Sequence, residues 1–131
     1  MKILRYRNEK NKCEYGLFKD NQIFPIINSP FSDDIEISKN HSIQFSETLL
    51  LPPCLPTKTI ALAINYQGAT GQTKDMLEPL VFLKSSNCVI GCNDNVKIAF
   101  TSETWGESEL GVVIKKETKN ISSEKVCDHI L

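Results

Sequence analysis

The sequence predicts a mainly β protein of the α+β kind, a leading β-meander followed by further strands and one late helix. Three observations carry this. Short runs with apolar residues at alternate positions recur along the chain, separated by turns rich in Asp and Asn. A proline cluster, Pro52-Pro53 and Pro56, punctuates the middle. Only the stretch 122–131 joins a serine cap to an apolar stripe, Val126, Ile130 and Leu131, at helical spacing.

The meander is expected from three runs. Residues 2–7 alternate, residues 8–12 are polar and turn-like, and residues 14–18 and 22–26 flank Lys19-Asp20-Asn21. Asp and Asn suit such turns because their side chains bond nearby backbone and tolerate left-handed angles. Residues 28–46 are rich in Ser, Asp and Asn and read as loop with a short element. The prolines then suggest a boundary, with a small β unit over residues 1–50 and a second unit over 51–131. In the second unit residues 57–66 form a β-rich run expected to be buried around 60–64, and residues 67–79 form a loop with two glycines. Strands are expected at 80–84, 88–90, 96–100 after Asn93-Asp94-Asn95, and 107–115.

Composition excludes several classes. Fifteen Lys and Arg face sixteen Asp and Glu, for a net charge of −1, and no basic block stands out. A nucleic-acid partner is therefore not expected. No apolar run is long enough for a bilayer span, so no membrane partner is expected. The first ten residues, MKILRYRNEK, lack the apolar core of a secretory signal. Five cysteines, an odd and irregularly spaced set, point to reduced thiols and a cytoplasmic location. Cys88 and Cys92 have no second Cys/His pair at zinc-site spacing, and read as small buried or half-buried residues.

Chemistry concentrates at Glu107-Ser108-Glu109, ahead of Leu110-Gly111-Val112-Val113-Ile114. In a strand, residues two apart face one side, with Cα atoms roughly 6.6 Å apart. Two carboxylates on one face can converge on a hard cation such as magnesium, manganese or calcium. Leu110, Val112 and Ile114 would face the other way and anchor the strand in a core. The same spacing also describes an ordinary solvated strand face.

Three stretches together resemble the fumarylacetoacetate hydrolase family. The first is Leu50-Leu51-Pro52-Pro53-Cys54-Leu55-Pro56-Thr57-Lys58-Thr59-Ile60, leading to Asn65-Tyr66. The second is Phe82-Leu83-Lys84-Ser85-Ser86 with Val89-Ile90-Gly91 after it. The third is Glu107-Ser108-Glu109-Leu110 running into Val112-Val113-Ile114, then Asn120-Ile121-Ser122. The resemblance implies part of that family's mixed β-sandwich roll. It implies Glu107 and Glu109 as ligands of Mg2+ or Mn2+, with Ca2+ a further candidate. It implies Lys84 as a contact to substrate or enolate, and Asn65 and Tyr66 as substrate-binding residues. The implied substrates are small 2-oxo or 1,3-dioxo carboxylic acids. The implied reactions are hydrolysis, decarboxylation or isomerisation through a stabilised enolate. Homo-oligomers are common in the family, so one is expected here.

The pattern also departs from the family. Many members carry a His and a Glu shortly after the Asn-Tyr turn, where this chain has Ala69 and Gln72. Neither takes a proton near neutral pH. The family's third metal ligand, an Asp, would fall beyond Leu131. These departures imply a catalytically incomplete chain with a weakly held metal. The alternative is a non-catalytic binding or assembly module that keeps the front of the fold. His41 and His129 lie outside the motifs and are expected at the surface.

Overall fold

The computed structural model describes residues 1–45, 49–66, 68 and 78–131. It is strand-rich, as the sequence predicts. Contacts group Met1–Cys54 with Gly91–Leu131 as one unit and Leu55–Ile90 as the other.

The first unit is built on a five-stranded antiparallel sheet. Its strands are β1 (Lys2–Arg7), β2 (Cys13–Lys19), β3 (Gln22–Pro25), β4 (Ile43–Gln44) and β5 (Leu49–Leu50), in the order β4-β3-β2-β1-β5. The expected meander is therefore present. The β2–β3 link is a two-residue hairpin: Lys19 pairs with Gln22, and Asp20 and Asn21 both take positive φ (51° and 59°). Paired left-handed residues match the twist of the flanking strands, which is why Asp-Asn closes this turn. The β1–β2 turn is held by Asn8, whose Oδ1 accepts from the amides of Lys10 (3.0 Å) and Lys12 (2.9 Å).

Register places Tyr6, Glu14, Gly16, Phe18 and Ile23 on one face of this sheet. Tyr6 and Ile23 are fully buried. Gly16 lies between them, and a β-carbon there would run into Ile23 Cγ2 and come within 3.2 Å of Tyr6 Cε1. The absent side chain lets β1 and β3 pack across β2. Phe18 stacks at 4.9 Å on Phe45, extending the apolar face.

The second unit contains one ribbon, β6 (Thr59–Ala63) paired antiparallel with β7 (Leu80–Lys84). Both strands fall inside the expected runs. The expected burial does not hold: Ile60 is 64% exposed and Leu62 45%. A two-stranded ribbon has no second layer of its own to cover its faces.

Three further expectations are corrected. Residues 88–90 are not a strand; a 3₁₀ turn covers Ser86–Cys88. Residues 96–100 and 107–113 are not strands either, and Leu110, Val112 and Ile114 are exposed instead of anchored in a core. An alternating run becomes a strand only when a neighbour satisfies its backbone N–H and C=O groups. Among the described residues the one β-bridge on these stretches is the isolated Ile114–Ile130 bridge. Finally, Cys88 and Cys92 are exposed rather than buried.

The late helix is present but wound as 3₁₀ over Ser123–His129. Lys125 N bonds Ser122 O, three residues back, and Ser122 makes no side-chain cap bond. Instead, the Ser122 hydroxyl bonds the Glu124 carboxylate and, with the local backbone and Ser123, holds its pKa below the usual value.

Candidate functional site

Glu107 and Glu109 lie on a run that is neither helix nor strand, and both are exposed. Its two ends are fastened within the first unit. Upstream, Asp94 Oδ2 accepts from the Gly91 amide at 2.7 Å and closes a turn packed against Pro52. Downstream, Lys115 N donates to His129 O (2.8 Å) and Leu131 N to Val113 O (2.9 Å). Lys115 and Lys116 also reach Asp33 Oδ1, at 2.8 and 3.0 Å. Those two ammonium groups hold the Asp33 carboxyl below its ordinary pKa. The carboxylate pair thus sits on a held excursion.

Glu107 has a neighbour that the sequence motifs do not single out. Trp105 Nε1 donates to Glu107 Oε1 at 3.2 Å. The signal available in the sequence was an indole donor two residues before a carboxylate. Glu107 and Glu109 supply hard oxygen donors of the kind a divalent cation takes, so they fit such an ion as part of its ligand set. Among the described residues no group of three His, Cys, Asp or Glu side chains is placed to hold a metal.

The other candidate residues belong to the second unit. Asn65 and Tyr66 follow β6 just after Ile64, which takes φ +57°. A left-handed β-branched residue is rare, and it turns the chain sharply at the end of the strand. Lys84 closes β7, paired with Thr59, while Ala63 pairs with Leu80. Lys84 and the Asn65-Tyr66 turn therefore occupy opposite ends of the ribbon. Four residue steps separate those ends, roughly 13 Å along the strands. Lys84 Nζ lies 5.9 Å from the Phe82 ring centroid, on the ribbon face that also carries Thr59. Thr59 Oγ1 is buried with no hydrogen-bond partner among the described residues. Ala69 and Gln72 lie outside the described residues. His41 is exposed, and His129 is half-buried with Nδ1 3.1 Å from Thr118 Oγ1.

A family model described as the fumarylacetoacetate (FAA) hydrolase C-terminal domain matches residues 58–131. The chain belongs to the fumarylacetoacetate hydrolase family. The matched stretch includes Asn65, Tyr66, Lys84, Glu107 and Glu109. The chain is similar to a mitochondrial oxaloacetate tautomerase of Xenopus laevis, 32% identical over 72% of this chain and 31% of that protein. It is also similar to a bifunctional isomerase/decarboxylase of homoprotocatechuate catabolism from Escherichia coli, 31% identical over 82% of this chain and 24% of that protein. In fold it is similar to a 5-carboxymethyl-2-hydroxymuconate delta-isomerase from Mycobacterium smegmatis. That match has a TM-score of 0.85 at 23% identity, covering 100% of this chain and 52% of the other. The chain thus spans about half the length of this solved relative and less than half of the curated ones. No helix among the described residues is long and apolar enough to cross a membrane.

Proposed function

We propose that Glu107 and Glu109 form part of a divalent-metal site for small 2-oxo or 1,3-dioxo acids, and that this chain alone is catalytically incomplete. One observation carries the reading: two exposed carboxylates at alternate positions, within the stretch that matches the family. Mg2+ or Mn2+ suits their hard oxygen donors, with Ca2+ as a third candidate. When bound, the cation supplies Lewis-acid polarisation of a substrate carbonyl. Glu107 and Glu109 hold the ion through their carboxylates. Lys84 offers an ammonium to a substrate carboxylate or to enolate charge. Asn65 and Tyr66 contribute amide and phenol groups that can orient a bound acid. The names of the Xenopus and Escherichia relatives favour tautomerisation or decarboxylation over hydrolysis.

Incompleteness follows from what the residues cannot do. Ala69 and Gln72 cannot accept a proton from water at neutral pH. The experiment is turnover of oxaloacetate with Mn2+, by wild type and by Glu107→Gln and Glu109→Gln. The reading expects wild-type turnover far below the ordinary 1–10³ per second. Rates inside that range would reject incompleteness.

The second reading is a non-catalytic binding or assembly module that keeps the front of the family fold. The separation of Lys84 from Asn65-Tyr66 along the ribbon favours it. A homo-oligomer is part of both readings. Ile60, Leu62, Val81 and Leu83 share one ribbon face by register and are all exposed, the kind of apolar surface that self-association covers. We also assign residues 1–50 to a small leading β unit and 51–131 to part of the catalytic domain. Five free thiols support a cytoplasmic setting.

A further inference from the structure

We infer that Trp105 is a positioning residue for Glu107: its indole N–H holds one carboxylate oxygen and leaves the other to a divalent cation. The inference rests on the metal reading above. Trp105 is the only tryptophan of the chain and is 74% exposed, so burial does not account for its placement. Its one polar atom, Nε1, donates to Glu107 Oε1 at 3.2 Å.

The chemistry of the pair fits that role. An indole N–H only donates, so it cannot compete with the carboxylate as a ligand. A hydrogen bond to an ionised oxygen is stronger than one between neutral groups. A glutamate side chain exposed to solvent otherwise samples many rotamers, and ordering it on binding weakens affinity. With Oε1 held by the indole, Oε2 is the oxygen left for the ion, and part of that ordering precedes binding. Carboxylates that bind metals are commonly held by such outer partners, whose loss weakens affinity by roughly 10- to 100-fold.

The test is a Mn2+ titration of the full chain, followed by the signal of free Mn2+ in electron paramagnetic resonance and by indole fluorescence. The variants are Trp105→Phe, which keeps an aromatic ring and removes the donor, Glu107→Gln and Glu109→Gln. Expected are a loss of Mn2+ affinity of about tenfold in Trp105→Phe, the low end of the outer-partner range, and a much larger loss in Glu107→Gln. In wild type, bound paramagnetic Mn2+ quenches the indole with the midpoint seen by resonance, and Glu107→Gln abolishes that quenching. If Trp105→Phe binds Mn2+ as wild type does while Glu107→Gln and Glu109→Gln do not, the positioning role is overturned and the metal pair stands. If wild type binds no Mn2+, or both Glu variants bind it unchanged, the metal reading falls and the positioning role with it.

Discussion

Asp33 Oδ1 lies 2.8 Å from Lys115 Nζ, tying a loop of the leading sheet to the backbone just after the Glu107–Glu109 run. The same oxygen lies 3.0 Å from Lys116 Nζ. Two cations on one carboxylate stabilise its charged form, which is why the Asp33 pKa is lowered. The pair is exposed on the Asp33 side and therefore open to screening by salt.

Asp33 should titrate below its ordinary value of 3.8 at low ionic strength. Because the folded value is depressed, its contribution is present above 3.8 and is lost as pH falls through the depressed value. Carbon-13 detection of the Asp33 carboxyl against pH measures this directly. In 1 M salt the midpoint should climb back toward 3.8. A low-salt midpoint at or above 3.8 would remove the ion pair from the description.

Gly16→Ala should destabilise the leading sheet. The new methyl meets Ile23 Cγ2, the Phe24 carbonyl oxygen and Tyr6 Cε1 in the only fully buried part of the described core. Overpacking of this kind costs about 1–3 kcal/mol. Urea unfolding would show a lower midpoint, whereas an unchanged midpoint would mean that β1 and β3 separate freely.

Tyr6→Phe should cost about 1 kcal/mol at neutral pH, because it removes the hydroxyl that donates to Glu14 Oε2 at 3.0 Å. Burial, then the hydrogen bond to Glu14 and its charge, raises the Tyr6 pKa above 10.0. A raised folded value means the contribution is full below pH 10.0 and is lost as pH rises beyond it. Wild type should therefore lose stability above pH 10 more steeply than Tyr6→Phe. Parallel alkaline denaturation curves would contradict this.

The meander was legible because its information is local. Asp20-Asn21 both sets the hairpin and fixes its register, so β2 and β3 follow from neighbouring residues. The run at 107–115 has the same alternating pattern, yet most of it forms no strand among the described residues. A strand depends on a distant partner, and the pattern alone does not supply one. Burial at Ile60 and Leu62 failed for a related reason, since apolar character states a preference but not what covers it. Family order named Lys84, Asn65 and Tyr66, but the Thr59–Lys84 pairing that sets them at opposite ends of the ribbon is a matter of register. The Trp105–Glu107 bond was visible in composition only as a lone indole near an acid.

The metal assignment is tested most directly by isothermal titration of Mn2+ into wild type and into the double variant Glu107→Gln, Glu109→Gln. Both side chains are exposed, so the exchange of charge for amide leaves the fold intact. The account predicts weak saturable binding to wild type and none to the double variant. Equal binding by the two proteins would contradict it.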